Sequence, residues 1–183
     1  VGGMSAVLNM DREVLIEVCN EVSCPNYIVE PANFNCPGQI VISGHKGAVE
    51  EAGIKARERG AKRVVPLPVS GPFHSSLMKP AAIQLKETLQ HITMRDASVA
   101  VVANVSSKPI LSHEDIVNAL VEQVSSPVLW EDTIRYLVEQ QVDTFVEIGN
   151  GEVLSRLIKK TKHDVRTLSI QDPQSLEKVL NMQ

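Results

Sequence analysis

The first 69 residues alternate β-rich runs with helical periodicity, and this order restricts the fold more than any other feature of the chain. Asp11 precedes a segment whose apolar residues recur at three- to four-residue spacing, so we expect it to cap a helix with one buried face. Two β-rich runs, 27–29 and 39–43, lie on either side of Pro37-Gly38, a pair that suits a type II turn between antiparallel strands. The sequence therefore predicts a helix followed by a β-hairpin.

A second helix and a closing strand complete this part of the chain. Aliphatic residues and alanines against a charged face predict a helix over residues 47–59, which Gly60 ends as a C-terminal cap. Residues 64–69 supply the last strand. The βαββαβ order is that of a ferredoxin-like unit, in which both helices cover one face of an antiparallel sheet. We assign residues 1–70 to such a small subdomain.

The pattern changes after residue 70 to that of a parallel, doubly wound α/β fold. Continuous apolar runs at 99–105 and 144–148 are typical of parallel strands buried on both faces. Ser112, followed by Asp115, predicts the start of a helix through a capping box. The other predicted elements are helices at 77–91, at 130–138 and up to Lys160, a strand at 165–170 and a short helix at 175–180. The predicted class is therefore α/β with an α+β insert.

Composition and charge exclude several functional classes. Hydrophobic residues make up 43% of the 183 residues and charged residues 22%, as in ordinary globular proteins, and no apolar run is long enough to cross a membrane. A net charge of −4 argues against nucleic acid as the main partner, since a phosphate-binding face needs clustered Lys and Arg without interleaved acids. Three cysteines without zinc-ligand spacing predict free thiols and no metal site. We therefore expect a cytoplasmic protein with neither a membrane nor a nucleic-acid partner.

His74 is the strongest candidate for chemistry, because it lies where a predicted strand ends and a helix begins. A ring facing the positive end of that helix would stay neutral and accept a proton near pH 7, as a general base must; a loop or capping role is the alternative. Several groups could orient the ring. They are an Asp or Glu side chain anywhere in the chain, or a backbone carbonyl or Gln side chain within residues 123–127. No Gly-x-Ser-x-Gly elbow occurs, so the chain lacks a convincing nucleophile.

Four separated motifs occur in an order found in one enzyme family. They are Asn33-Phe34-Asn35-Cys36-Pro37-Gly38-Gln39, the segment from Pro68 to Pro80, Gln123 with Ser126-Pro127-Val128-Leu129-Trp130, and Glu147-Ile148-Gly149-Asn150-Gly151. Together they resemble the malonyl-CoA:acyl carrier protein transacylase family of bacterial fatty-acid synthesis, across nearly the whole chain. The same family contains the acyltransferase domains of fatty-acid and polyketide synthases.

The resemblance implies a hydrolase-like α/β core with an inserted ferredoxin-like subdomain, so that residues 71–183 form the C-terminal part of the large subdomain. It also implies ping-pong transfer, in which a serine takes malonyl from coenzyme A and passes it to the phosphopantetheine thiol of acyl carrier protein. His74 matches the histidine that serves as base and then as acid. Gln123 matches the residue whose backbone carbonyl orients the imidazole. No bound cofactor is implied, since malonyl-CoA is a substrate and the partner protein carries the phosphopantetheine.

The resemblance extends to residues around the cleft and on the surface. Phe73 matches a pattern associated with malonyl rather than branched acyl units, because a bulky ring leaves no room for an α-methyl group. Asn35 and Asn33 match asparagines near the cleft mouth. Lys159 and Lys160 match a basic patch implicated in docking the acidic carrier protein. From the residues alone, the two lysines also suit the end of a helix, and Gly149-Asn150-Gly151 is interpreted as a tight turn rather than a phosphate loop.

The departures from the family concern the nucleophile. The family's serine elbow, its malonyl-binding arginine and its oxyanion-hole glutamine all precede Val1, so we expect a partial chain that is inactive alone. Asn150 also replaces a proline common in the family between the two glycines. The alternatives are a non-catalytic carrier-protein binding module, a fragment of a polyketide-synthase-type acyltransferase, and an unrelated hydrolase that uses Cys36 or Ser76.

Overall fold

The structure is a computed structural model that describes residues 2–181. Its strands are β1 (Gly2–Leu8), β2 (Val29–Cys36), β3 (Gln39–His45), β4 (Arg63–Pro66), β5 (Val101–Val102), β6 (Pro109–Ile110), β7 (Thr144–Ile148) and β8 (Arg166–Ile170). Its α-helices are α1 (Arg12–Val22), α2 (Lys46–Glu58), α3 (Lys79–Leu89), α4 (His113–Glu122), α5 (Trp130–Glu139), α6 (Val153–Thr161) and α7 (Pro173–Leu180). The predicted mixed α/β class is confirmed.

The first four strands form one antiparallel sheet in the order β2-β3-β1-β4. Side chains from α1, α2 and one face of the sheet build its main apolar core, which includes the fully buried Leu15, Val18, Ile42 and Ala52. This is the predicted βαββαβ order of elements, which we interpret as ferredoxin-like. One boundary differs from the expectation. Strand β2 begins at Val29 and continues through the asparagines to Cys36, so the turn is limited to Pro37-Gly38.

The predicted helix signals at Asp11 and Gly60 are confirmed by the backbone geometry. The Asp11 side chain accepts hydrogen bonds from the amides of Glu13 and Val14, at 2.9 and 3.3 Å, and so caps α1. Gly60 follows α2 with a φ of +103°, a left-handed conformation that glycine adopts without steric strain. The start of α1 and the end of α2 are therefore set by residues next to each helix.

The continuous buried strand predicted over 99–105 is wrong. Only Val101–Val102 forms a strand, it pairs antiparallel with β6, and Val99 is 74% exposed. The chain reverses at Ala103, whose carbonyl accepts hydrogen bonds from the amides of Ser106 and Ser107. Ser107 has a φ of +52°, so the serine-rich turn ends the strand early. The Ser112 cap of α4 is confirmed, since its hydroxyl accepts from the Asp115 amide at 3.1 Å.

The parallel pairing predicted near the C terminus is confirmed, because β7 and β8 align in register from Thr144↔Arg166 to Ile148↔Ile170. The predicted burial of β7 on both faces is wrong. Val146 and Ile148 are 45% and 80% exposed, whereas the alternate residues Phe145 and Glu147 are partly covered. Side chains alternate between the two faces of a strand, so β7 has one covered face with Phe145 and Glu147 and one exposed face with the aliphatic Val146 and Ile148.

The chain divides into two compact units, the first ending at Thr133 and the second beginning at Ile134. The subdomain boundary expected between residues 70 and 71 stays a prediction, since the four-stranded sheet ends at Pro66 and the first unit continues beyond it. Within residues 2–181, no helix is both long enough and apolar enough to cross a membrane.

Candidate active site

The candidate site lies in the first unit and centres on the turn that holds His74. His74 has a φ of +58°, in the left-handed region that few residues other than glycine occupy. The turn closes on itself through the buried Ser75, whose hydroxyl donates to the Pro72 carbonyl oxygen at 2.6 Å. A 3₁₀ turn, Ser76–Met78, follows and continues into α3. A strained residue presented by a tight turn is a common arrangement at functional sites.

The His74 ring lies beside the end of α4. Its Nδ1 is 3.0 Å from the backbone oxygen of Gln123, the residue that caps the C-terminus of that helix. A carbonyl oxygen only accepts hydrogen bonds, so Nδ1 must carry a proton and donate it. The negative end of the α4 dipole favours the same placement. The neutral ring therefore keeps its lone pair on Nε2, which is the atom available to take a proton.

A cavity of about 530 Å³ adjoins His74. Ile16, Pro31, Phe34, Pro127 and Leu129 give it a mainly apolar wall, and Arg12, Glu30 and Ser125 add polar groups. The mainly apolar wall suits an apolar part of a substrate better than a highly charged one.

The cation in this wall is neutralised locally. One terminal nitrogen of Arg12 donates to both carboxylate oxygens of Asp132, each at 2.9 Å. The guanidinium also lies over the Phe34 ring, 3.8 Å from its centroid. These contacts fix Arg12 against β2 and the start of α5.

The segment that follows Gln123 reaches the site by pairing with the edge strand β2. The Phe34 amide donates to the Val128 oxygen and the Val128 amide donates to the Ala32 oxygen, both at 2.8 Å. This pairing brings the predicted Ser126–Trp130 motif alongside the Asn33–Gln39 motif. Two motifs about 90 residues apart in the sequence thus meet at one strand edge.

The predicted site residues are only partly brought together. His74 and Gln123 are in contact, as described above. Phe73 is 45% exposed, and neither it nor Asn33 nor Asn35 is among the residues that line the His74 cavity. The substrate-binding roles of these three residues stay predictions.

Lys159 and Lys160 belong to the second unit, where they line a separate cavity of about 490 Å³ with Arg156, Glu152 and Ser155. The ammonium group of Lys159 donates to the backbone oxygens of Val165 and His163, at 2.6 and 3.2 Å. Lys159 therefore stabilises the connection between α6 and β8. Its docking role, and that of Lys160, stay predictions.

Burial limits which side chains near the turn and the hairpin are suited to act as a nucleophile. Ser75 is 1% exposed and its hydroxyl is engaged with Pro72, so it does not serve as a free nucleophile. Cys36, one of the two residues proposed for an unrelated hydrolase, is also 1% exposed. Among residues 2–181, no group of three or more histidine, cysteine or acidic side chains is arranged to hold a metal ion.

Comparison with known proteins places the chain among the acyltransferases. The family model described as "Acyl transferase domain" matches residues 1–180. The chain belongs to this family. It is 49% identical over 176 residues to the malonyl CoA-acyl carrier protein transacylase of Bacillus subtilis, and the aligned region covers 96% of this chain and 56% of that relative. A Staphylococcus aureus protein of the same name is 47% identical over 171 residues, with 93% and 56% covered.

Solved structures give the same result. A malonyl-transacylase in complex with a type II PKS acyl-carrier protein is 41% identical, with a TM-score of 0.96 over 100% of this chain and 59% of that one. The acyl-carrier-protein-S-malonyltransferase of Bartonella henselae is 40% identical, with a TM-score of 0.94 over 99% and 57%. This acyl transferase chain thus spans a little over half the length of the relatives that it matches.

Two residues of the site were missed by the sequence analysis. Glu30 lines the cavity, and its carboxylate accepts a hydrogen bond from the Ser76 amide at 2.6 Å. Arg12 follows the Asp11 cap directly and was assigned no role of its own. The sequence signal that could have indicated both residues is a charged side chain inside or beside an apolar segment. Neither long-range contact has a local sequence pattern, since their partners are 46 and 120 residues away.

Proposed function

We propose that this chain supplies the histidine part of a malonyl-CoA:acyl carrier protein transacylase active site. The observation that supports it best is the 3.0 Å contact between His74 Nδ1 and the Gln123 oxygen. This contact leaves Nε2 available to take the proton of an attacking hydroxyl and then to donate it to the thiolate that leaves when the C–S bond of the thioester breaks. The names of the relatives supply the donor, malonyl-CoA, and the acceptor, acyl carrier protein. The phosphopantetheine thiol of the carrier is the group that we propose to receive the malonyl.

In this proposal His74 is the base and Gln123 positions it through its main-chain oxygen. Phe73, Asn35 and Asn33 contact the substrate, and Lys159 and Lys160 contact the carrier protein. The attacking serine comes from sequence outside Val1–Gln183, and the cytoplasm is the expected location. The isolated chain is therefore inactive.

The experiment compares the isolated chain with a chimera in which it replaces the matching C-terminal portion of the Bacillus subtilis relative. Each protein is incubated with malonyl-CoA and holo carrier protein, and malonyl transfer to the carrier is measured. We expect transfer by the chimera and none by the chain alone. An inactive but folded chimera would contradict the proposed function, and turnover by the chain alone would contradict the external serine.

A carrier-protein binding module is the second candidate, favoured by the basic residues that line the 490 Å³ cavity of the second unit. It requires salt-sensitive binding of the carrier to the isolated chain without transfer in the chimera. The two candidates therefore give opposite results in the same pair of assays. A polyketide-type acyltransferase is distinguished by replacing the fatty-acid carrier with a polyketide carrier in the chimera assay.

A further inference from the structure

We propose that Glu30 is a positioning residue that holds the His74 turn against the sheet and thereby fixes which nitrogen of His74 carries the proton. The inference rests on the proposed function for its catalytic meaning. Its structural content, the link from Glu30 to His74, is independent of any activity.

Glu30 is held by the sheet near the start of a strand. It belongs to β2 and pairs with Ser43 of β3, so its backbone is fixed by the sheet. Its carboxylate oxygen accepts from the Ser76 amide at 2.6 Å, across 46 residues of sequence. A short hydrogen bond to a carboxylate is stronger than one between neutral groups, so this contact ties the turn to the sheet.

The turn needs such a tie because of the conformation of His74. Two other hydrogen bonds of the turn are local. The Ser75 hydroxyl donates to the Pro72 oxygen at 2.6 Å, and the Met78 amide donates to the Ser75 oxygen at 2.9 Å. Local bonds close the turn but do not fix its place on the molecule. A left-handed φ of +58° at a residue with a Cβ persists only when the surroundings constrain it. Glu30 supplies such a constraint two residues after His74.

The consequence reaches the ring through Gln123. The 3.0 Å contact between His74 Nδ1 and the Gln123 oxygen depends on the turn keeping its place beside the end of α4. If the turn moves, Nδ1 loses its acceptor, and the ring returns to the mixture of tautomers found for a free imidazole. Glu30 therefore controls the availability of the Nε2 lone pair without touching the ring.

Two variants remove the link from opposite sides. Glu30→Ala deletes the acceptor. Ser76→Pro deletes the amide donor, and it also replaces the Ser76 hydroxyl by a ring. It suits the backbone, since Ser76 is the first residue of the 3₁₀ turn and Ser75 has φ −124° and ψ 165°, the region preferred before proline. Glu30→Gln keeps an oxygen acceptor and is the conservative rescue. Glu58→Ala, at the exposed end of α2, is the matched control.

The readout is the nitrogen-15 spectrum of the His74 ring in the full 183-residue chain at about pH 9, where histidine is neutral. We expect the Nδ1–H form to dominate in the wild-type chain, in Glu30→Gln and in Glu58→Ala. In Glu30→Ala and Ser76→Pro, the ratio of Nδ1–H to Nε2–H should fall by about tenfold or more, since a charge-assisted bond is lost.

The outcomes separate this inference from the proposed function, because no turnover is measured. An unchanged tautomer ratio in both Glu30→Ala and Ser76→Pro overturns it, as does a Glu30→Gln spectrum that matches Glu30→Ala. If Glu30→Ala does not fold, as judged by amide dispersion, Ser76→Pro decides alone. Inactivity of the chimera would leave the result unaffected.

Discussion

The Gln123 backbone oxygen determines that the ring proton of His74 lies on Nδ1. A carbonyl at the end of α4 accepts from Nδ1, and no side chain is needed for that role. The sequence left several orienting groups open, and only the family resemblance selected the Gln123 carbonyl. Local patterns cannot make that selection, because the two residues are 49 positions apart. Glu30 was missed for the same reason.

The three thiols are expected to differ sharply in reactivity. Burial, helped by the negative charge of Glu30, raises the pKa of Cys19 to about 12, so its thiolate is scarce at neutral pH. Cys36 is also buried, whereas Cys24 is exposed. We expect an alkylating reagent at about pH 8 to label Cys24 alone in the folded chain, and all three cysteines in denaturant. Peptide mass spectrometry checks the sites, and rapid labelling of folded Cys36 would revive the hydrolase alternative.

At the scale of elements, the signals with short-range causes gave correct predictions. The Asp11 and Ser112 caps, the Pro37-Gly38 turn and the Gly60 stop depend on contacts within a few residues. The apolar runs at 99–105 and 144–148 were misjudged because the burial of a strand depends on what covers it. An apolar run shows that a strand can be buried, but it does not name the covering element.

Glu147 gives a prediction for the second unit. Burial alone would raise its pKa, but hydrogen bonds from the Ser155 side chain and from the amides of Ser155, Leu154 and Val153 outweigh burial and lower the pKa. The carboxylate caps α6, with contacts of 3.0 and 2.8 Å to the Leu154 and Ser155 amides. Because the folded pKa is the lower one, this stabilisation is present above the ordinary pKa of 4.5 and is lost as pH falls through the folded value.

We therefore expect Glu147→Gln to lower the melting temperature at pH 7 by about 2 °C, because the charge at the helix start is removed and one acceptor remains. The difference from wild type should shrink as the pH falls below 4.5, where Glu147 itself becomes protonated. Thermal unfolding followed by circular dichroism at several pH values measures it. A difference that stays constant to low pH would contradict the capping role.

For the whole molecule, the comparisons decide the family, while partner surfaces stay proposals.

Reversing the charge at Lys160 tests the docking surface with less damage to the fold than reversing it at Lys159, because the Lys159 ammonium group donates hydrogen bonds to backbone oxygens. Lys160→Glu should weaken carrier binding by about two- to fivefold at low salt, and less at high salt. Titration calorimetry of the chimera with holo carrier protein measures it, and Lys62→Glu in the first unit is the control. If Lys160→Glu and Lys62→Glu weakened carrier binding equally, a docking site confined to the region of Lys160 would be excluded.

In the proposed function, His74 is the base of acyl transfer and Gln123 acts through its backbone oxygen. The most direct test is the rate of malonyl transfer by the chimera carrying His74→Ala, beside Gln123→Ala and the exposed His91→Ala control. Loss of a general base should lower kcat by about 10²- to 10⁴-fold, whereas Gln123→Ala retains the carbonyl and should stay within about twofold of the unmodified chimera. A His74→Ala chimera as active as the His91→Ala control would contradict the account.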